Sequence, residues 1–163
     1  MKTPRPTRNA SVEQLGTDLR PDVLLEMVIR SNPSLLCVVR SAVERLADAL
    51  GFPPEDCRAI TLALDEAIAN VIRHSYGGRE NQPIAVYFRK VQRGREEGLE
   101  ILLRDRGPAI DPAKLCGRDL DDVRPGGLGL HFIRQSVDTA EYARVGDFNE
   151  WTLVKYLKPA QGR

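Results

Sequence analysis

The chain has 163 residues, of which 42% are hydrophobic and 29% are charged, values typical of one globular domain. Its 24 basic and 23 acidic side chains nearly cancel, so neither nucleic acid nor an anionic membrane is the expected partner. The three cysteines form no CxxC pair, and no run reaches the roughly 18 apolar residues of a membrane helix. We therefore expect free thiols and a cytoplasmic protein with no membrane span.

The first half of the chain predicts one strand followed by two helices. Residues 1–20 are polar and aperiodic, which indicates a flexible tail. The apolar run Leu24–Ile29 predicts a strand. A helix then extends to about Leu50, and a second helix begins near Pro53 and ends before Gly77.

After the second helix, the apolar period changes from helical to alternating. The remaining predicted elements are the strands Ile84–Val91 and Leu99–Leu103, a loop over 105–127, the helix Leu128–Val137, and the strands Thr139–Val145 and Glu150–Leu157. This order predicts an α+β two-layer sandwich, with a mixed, mostly antiparallel sheet and helices on one face. We expect one domain over 21–158 and a short tail over 159–163.

The second helix carries a polar stripe within ALDEAIANVIRHSY, residues 63–76. Glu66, Asn70 and His74 recur every four residues and therefore share a face with Arg73. This face is either the solvated side of an amphipathic helix or the lining of a site. Asn is a poor residue for the middle of a helix, which favours a site. Its amide oxygen suits Mg²⁺, and a Glu one turn away could act as a base.

A second motif is LEILLRDRGPAIDP, residues 99–112, in which a strand ends at Asp105. A carboxylate at this position can accept a hydrogen bond from an amino group such as N6 of adenine. Gly107 would let the backbone approach a flat ring closely. Taken alone, however, these residues are explained more simply by an ordinary Asp-x-Gly turn.

The third motif is RPGGLGLHFIRQSV, residues 124–137, where Gly126, Gly127 and Gly129 lead into a predicted helix. Backbone N–H groups at such a helix start can bind a phosphate. The motif is not a Walker A loop, and it is no dinucleotide fingerprint, because Phe132 stands where a third glycine is needed. The alternative interpretation is a flexible connector.

Taken together in this order, the three motifs resemble those of the GHKL, or histidine-kinase-like, ATP-binding family with its Bergerat fold. The chain is most similar to the stand-alone anti-sigma-factor serine kinases of bacteria, over about residues 22–158. DEAIANVIRHSY corresponds to the N-box, DRGPAID to the first glycine box and RPGGLGLHFI to the second. The resemblance implies that Glu66 is the general base and that Asn70 holds Mg²⁺. The ATP-binding residues that it implies are Asn70, Arg73, His74, Asp105, Gly107, Ala109, Gly126, Gly127, Leu128, Gly129, Leu130 and Thr152.

By this resemblance, the protein is a Mg·ATP-dependent protein serine/threonine kinase. It would phosphorylate a STAS-domain anti-sigma antagonist, sequester a sigma factor and form a homodimer. The sequence departs from the family pattern at Ala109, where the first glycine box usually has a second glycine. The alternative is therefore a non-catalytic, nucleotide-responsive binding module of a partner-switching system, although the intact Glu66 and Asn70 favour the enzyme.

Overall fold

A computed structural model of the protein describes residues 22–110 and 128–158. The helices and strands are, in chain order, β1 (Val23–Arg30), α1 (Leu36–Ala49), α2 (Pro54–Asn70), β2 (Pro83–Arg93), β3 (Glu96–Asp105), α3 (Leu128–Ser136), β4 (Thr139–Val145) and β5 (Phe148–Tyr156). The predicted order of elements is confirmed. The two predicted tails, 1–20 and 159–163, lie outside the described residues.

The five strands form a single sheet in the order β1-β2-β3-β5-β4. The α+β sandwich is confirmed, but the expected mixed sheet was wrong for the described strands, because every neighbouring pair is antiparallel. The reason is local: a tight turn at Gly146, with φ of +56°, returns the chain from β4 into β5. Strand β5 then lies between β4 and β3 and runs opposite to both.

The apolar core lies between the three helices and one face of the sheet. Alternate residues of the central strands point into this core, as the pleat of a strand requires. Its largest fully buried side chains include Ile60, Leu64 and Ile68 from α2, Phe88 from β2, and Leu99, Ile101 and Leu103 from β3. Burying each such side chain is worth roughly 1.5–3 kcal/mol, so the core fixes the rotation of α2 about its own axis.

The other face of the sheet carries a smaller buried cluster, formed by Ala85, Tyr87 and Leu102. Arg104 lies over the Tyr87 ring, with its guanidinium carbon 5.8 Å from the ring centroid, and also pairs with Glu150.

Among the helices that the structure describes, none is long and apolar enough to cross a membrane.

Candidate functional site

Helix α2 ends at the polar stripe and does so with an unusual turn. After Asn70 the chain makes one π-helical turn, Val71–Ser75, where the sequence predicted a continuous α-helix. Turns of this type occur frequently at functional sites. Asn70 is half-buried, as is Glu66, whose side chain is 28% exposed. These two residues are therefore not part of a freely solvated face, whereas Arg73 and His74 in the π turn are exposed.

Gly129, near the start of α3, lies directly against this stripe. A Cβ at Gly129 would lie 2.9 Å from Oε2 of Glu66, 3.4 Å from Nδ2 of Asn70 and 3.5 Å from its Oδ1. Only a glycine fits here without displacing the Glu66 carboxylate. The first turn of a helix also has free N–H groups and a partial positive charge, both of which favour an anion. The residues of the N-box and the second glycine box thus meet at one point.

Arg73 extends the charged part of this surface. Its Nη2 lies 3.6 Å from Oε2 of Glu66, and its Nε donates to the carbonyl of Ala69 at 3.2 Å. The side chain is 57% exposed, so the pair is a weak surface interaction. Its position nonetheless keeps a cation beside Glu66, where a phosphate would need one.

Asp105, at the end of β3, is fully buried. Its Oδ1 accepts hydrogen bonds from the Gly107 N–H at 2.7 Å and from Nδ2 of Asn149 at 2.9 Å. Its buried Oδ2 accepts none. Burial raises the pKa of the Asp105 carboxyl, and the two hydrogen bonds offset only part of that rise. A buried acceptor without a donor is costly, and this one fits a ligand that brings its own N–H group.

The loop after β3 crosses the π turn at Gly107. A Cβ at Gly107 would lie 2.5 Å from Cβ of Ser75 and 2.9 Å from the Ser75 carbonyl oxygen, so no larger residue fits. The buried Ser75 hydroxyl also lacks a hydrogen-bond partner. It is near enough to lower the pKa of Asp105 slightly, but its geometry is not that of a hydrogen bond. Two unpartnered polar groups therefore lie side by side at the first glycine box.

The predicted placement of Thr152 beside the adenine is corrected by the register of the sheet. Thr152 pairs with Leu102, whereas Asp105 pairs with Asn149. Positions 149 and 152 on β5 are three positions apart, an odd number, so their side chains point to opposite faces of the sheet. Thr152 belongs to the face away from the helices, and Asn149 is the β5 residue that reaches Asp105.

Sequence reasoning missed Asn149 and also Tyr76. The hydroxyl of Tyr76 donates to the Pro83 carbonyl at 2.6 Å and accepts from the Arg106 N–H at 2.9 Å. Burial raises the pKa of Tyr76 to about 12, so this phenol is neutral at physiological pH. Tyr76 therefore links the end of the π turn to the loop that carries Gly107. Tyr76 is the last residue of the segment that corresponds to the N-box, and an aromatic residue at that position was the signal that could have indicated its role.

The remaining predicted site residues have simpler positions. Ala109 is exposed, and Leu130 is half-buried and packs against the core. Leu128 begins α3. Gly126 and Gly127 lie outside the described residues. Within the described ranges, no group of three or more His, Cys, Asp or Glu could hold a metal ion. A Mg²⁺ ion at Asn70 would therefore need phosphate oxygens as further ligands.

Comparison with known proteins identifies relatives of this chain. The family model for the histidine kinase-like ATPase domain matches residues 29–155. The serine/threonine-protein kinase BtrW of Bordetella bronchiseptica is 34% identical over 104 residues, which are 61% of this chain and 70% of that protein. The serine-protein kinase RsbW of Bacillus pumilus is 27% identical over 128 residues, which are 72% of this chain and 76% of that protein.

Two solved structures share the fold. The SiaB–SiaC complex of Pseudomonas aeruginosa matches with a TM-score of 0.60 and 17% identity, over 82% of this chain and 89% of that one. A structure containing the RsbU and RsbW domains of a Mycobacterium tuberculosis protein matches with a TM-score of 0.58 and 18% identity. That match covers 83% of this chain but only 33% of the two-domain chain. At these identities, the similarity supports the architecture alone.

Proposed function

Because the chain belongs to the histidine kinase-like ATPase family, and within it to the protein serine/threonine kinases, we propose that it transfers a phosphoryl group from Mg·ATP to a serine of a STAS-domain anti-sigma antagonist. We further propose that it sequesters a sigma factor as a homodimer and releases it by partner switching. Two relatives named as serine-protein or serine/threonine-protein kinases support the reaction. Because a protein kinase acts on another protein, the same two relatives also support a protein partner.

The observation that carries the proposal is the contact of Gly129 with Glu66 and Asn70. It brings a carboxylate, an amide oxygen and the first turn of a helix within 3.5 Å of one point. Phosphoryl transfer needs such a set: a base for the incoming hydroxyl, a ligand for the metal and N–H groups for the phosphates. Asn70 would hold Mg²⁺, which would neutralise the charge that develops on the transferred group.

In this proposal, Glu66 accepts the proton of the substrate serine while the serine oxygen attacks the γ-phosphorus and the bond to the leaving group, ADP, breaks. The half-exposed position of Glu66 leaves it accessible to a hydroxyl from a protein partner. Arg73 lies beside it and would counter the charge of the triphosphate. The N–H groups at Leu128, Gly129 and Leu130 would bind phosphate oxygens.

At the other end of the site, Asp105 would bind the base of the nucleotide. Its unpartnered Oδ2 would accept a hydrogen bond from the 6-amino group of adenine. Gly107 would let the backbone approach the ring. His74, Ala109, Gly126 and Gly127 remain proposed contacts of the nucleotide on the family resemblance alone.

The test is a phosphotransfer assay with purified chain, radiolabelled ATP and STAS-domain proteins from the same organism. Label on a serine, located by mass spectrometry, is the expected result. Glu66→Gln should still bind ATP but lose transfer by roughly 10²-fold or more. Glu44→Gln, at an exposed position of α1, is the matched control and should leave transfer unchanged.

Two outcomes would contradict this proposal. Transfer by Glu66→Gln at the wild-type rate would remove Glu66 from the chemistry. A chain that binds no ATP at millimolar concentration is no kinase, and partner binding would then have to be its whole function. Size-exclusion chromatography with and without the STAS protein and a sigma factor would test the homodimer and the switching step separately.

A further inference from the structure

The side chain of Asn149 is fully buried, and hydrogen bonds hold it from both sides. Its Oδ1 accepts from the Tyr142 hydroxyl at 2.7 Å and from Nη1 of Arg144 at 2.9 Å. Its Nδ2 donates to Oδ1 of Asp105 at 2.9 Å and to the carbonyl of Pro108 at 3.1 Å. The same nitrogen lies 3.3 Å from the carbonyl oxygen of Gly107. A buried amide with this many partners is fully satisfied.

These partners allow only one orientation of the Asn149 amide. Arg144 can only donate, so the amide must turn its oxygen toward that guanidinium. Backbone carbonyls can only accept, so the amide must turn its nitrogen toward Gly107 and Pro108. A rotation of 180° would set like groups against each other on both sides. The Asn149 side chain therefore presents an N–H group to Asp105 and cannot exchange it for an acceptor.

The fixed amide determines which part of Asp105 stays free. Oδ1 of Asp105 receives two donors, from Asn149 and from the Gly107 backbone, so its lone pairs are occupied. Oδ2 receives none and is left as an acceptor. We propose that Asn149 is a positioning residue that holds Asp105 with this acceptor free, and thereby makes the nucleotide site selective for a 6-amino purine. This inference rests on the proposed binding of ATP.

The same network also fixes the loop that follows Asp105. Nη1 of Arg144 donates to the Gly107 carbonyl at 2.9 Å, and the Ile110 N–H donates to the Tyr142 hydroxyl at 3.0 Å. The loop that lacks the second glycine of its box, at Ala109, is thus held in place by side chains of β4 and β5. Local loop stability and the orientation of Asp105 come from one set of hydrogen bonds.

The consequence for specificity follows from the chemistry of position 6 of the purine. An amino group at this position donates to Oδ2, a hydrogen atom there cannot, and a carbonyl oxygen there is repelled by the carboxylate. A hydrogen bond to a charged group corresponds to roughly 10- to 100-fold in affinity. ATP should therefore bind about 10- to 100-fold more tightly than purine riboside triphosphate, which has the same triphosphate but no 6-amino group.

The experiment measures the dissociation constants of ATP and of purine riboside triphosphate for the full chain by calorimetry. Asn149→Ala removes the donor to Asp105, so the ratio of the two constants should fall to within about threefold of unity. Tyr142→Phe removes one of the two donors to Oδ1 of Asn149, so it should lower the ratio by a smaller factor. Thr152→Val, on the opposite face of β5, is the matched control and should keep the wild-type ratio.

The possible results separate this inference from the proposed function. If the wild type binds ATP but the ratio is unchanged in Asn149→Ala and Tyr142→Phe, the role of Asn149 is wrong and the ATP site remains. The same conclusion follows if the wild type binds both nucleotides equally. If the wild type binds neither nucleotide, the proposed function fails and this inference fails with it. Should Asn149→Ala not fold, the ratio in Tyr142→Phe decides, because that variant keeps the Arg144 donor and a ring of nearly the same size.

Discussion

The substitution Gly129→Ala should lower activity without lowering stability. The added methyl group would lie 2.9 Å from Oε2 of Glu66 and 3.4 Å from Nδ2 of Asn70. Both neighbours are ends of side chains rather than backbone, so they can move. An ordinary contact distance of 3.4 Å requires the Glu66 oxygen to retreat by about 0.5 Å.

The two effects of this substitution have opposite signs. Alanine favours a helix over glycine by about 0.5–1 kcal/mol, so the free energy of unfolding should stay constant or rise by up to about 1 kcal/mol. Catalytic groups, by contrast, must keep their positions within about 0.5 Å. A displacement of about 1 Å can cost on the order of 10²-fold in rate, so a shift of half that size should cost about 10-fold.

The assay combines chemical denaturation with the rate of phosphoryl transfer or, before a substrate is known, the rate of ATP turnover. Gln135→Ala, at an exposed position of α3, is the control and should change neither quantity. Wild-type activity in Gly129→Ala would refute the claim that Glu66 must stay where Gly129 allows it. A loss of more than about 1 kcal/mol in the free energy of unfolding would show that the contact serves packing instead.

Two further predictions concern Asp105 and Tyr76. Asp105→Asn keeps the acceptor for Gly107 and Asn149 but removes the buried carboxylate, so ATP affinity should fall by about 10-fold or more, while the free energy of unfolding should rise. Because burial raises the folded-state pKa of Asp105, wild-type stability is lost as pH rises from the ordinary value of 3.8 through the raised one. The stability gain of Asp105→Asn should therefore be larger at about pH 7 than at about pH 4 in denaturation curves, and an equal gain at both values would contradict this. Tyr76→Phe removes two hydrogen bonds, so the free energy of unfolding should fall by about 1–3 kcal/mol. With its pKa at about 12, Tyr76 stays neutral near physiological pH, and a loss that changed between about pH 6 and 8 would contradict this account.

Periodicity in the sequence predicted the fold well where one face of an element is buried. The apolar positions of α2 and the alternating residues of β2 and β3 point into the same core, as their spacing indicated. The sequence pattern could not show that β5 lies between β3 and β4, because the order of strands in a sheet depends on pairing between residues that are distant in the sequence. It also could not show the π turn after Asn70, since the residues there are ordinary helix residues.

The site was predicted in part, for reasons that its residues make clear. Glu66, Asn70 and Gly129 belong to short motifs with fixed spacing, and the structure brings them together. Asn149 has no such motif, because it lies 44 residues from Asp105 along the chain and meets it only through the register of β3 and β5. Thr152 lies on the correct strand but on the opposite face from Asn149, because the predicted strand begins at Glu150 and leaves out Asn149.

We propose that one site, formed by Glu66, Asn70, Asp105 and Gly129, binds Mg·ATP. The most direct measurement is a calorimetric titration of the purified chain with ATP, with and without Mg²⁺, repeated for Asn70→Ala. We expect one nucleotide per chain, tighter binding with Mg²⁺, and loss of that Mg²⁺ effect in Asn70→Ala. No binding to the wild type at millimolar ATP, or an unchanged Mg²⁺ effect in Asn70→Ala, would contradict the claim.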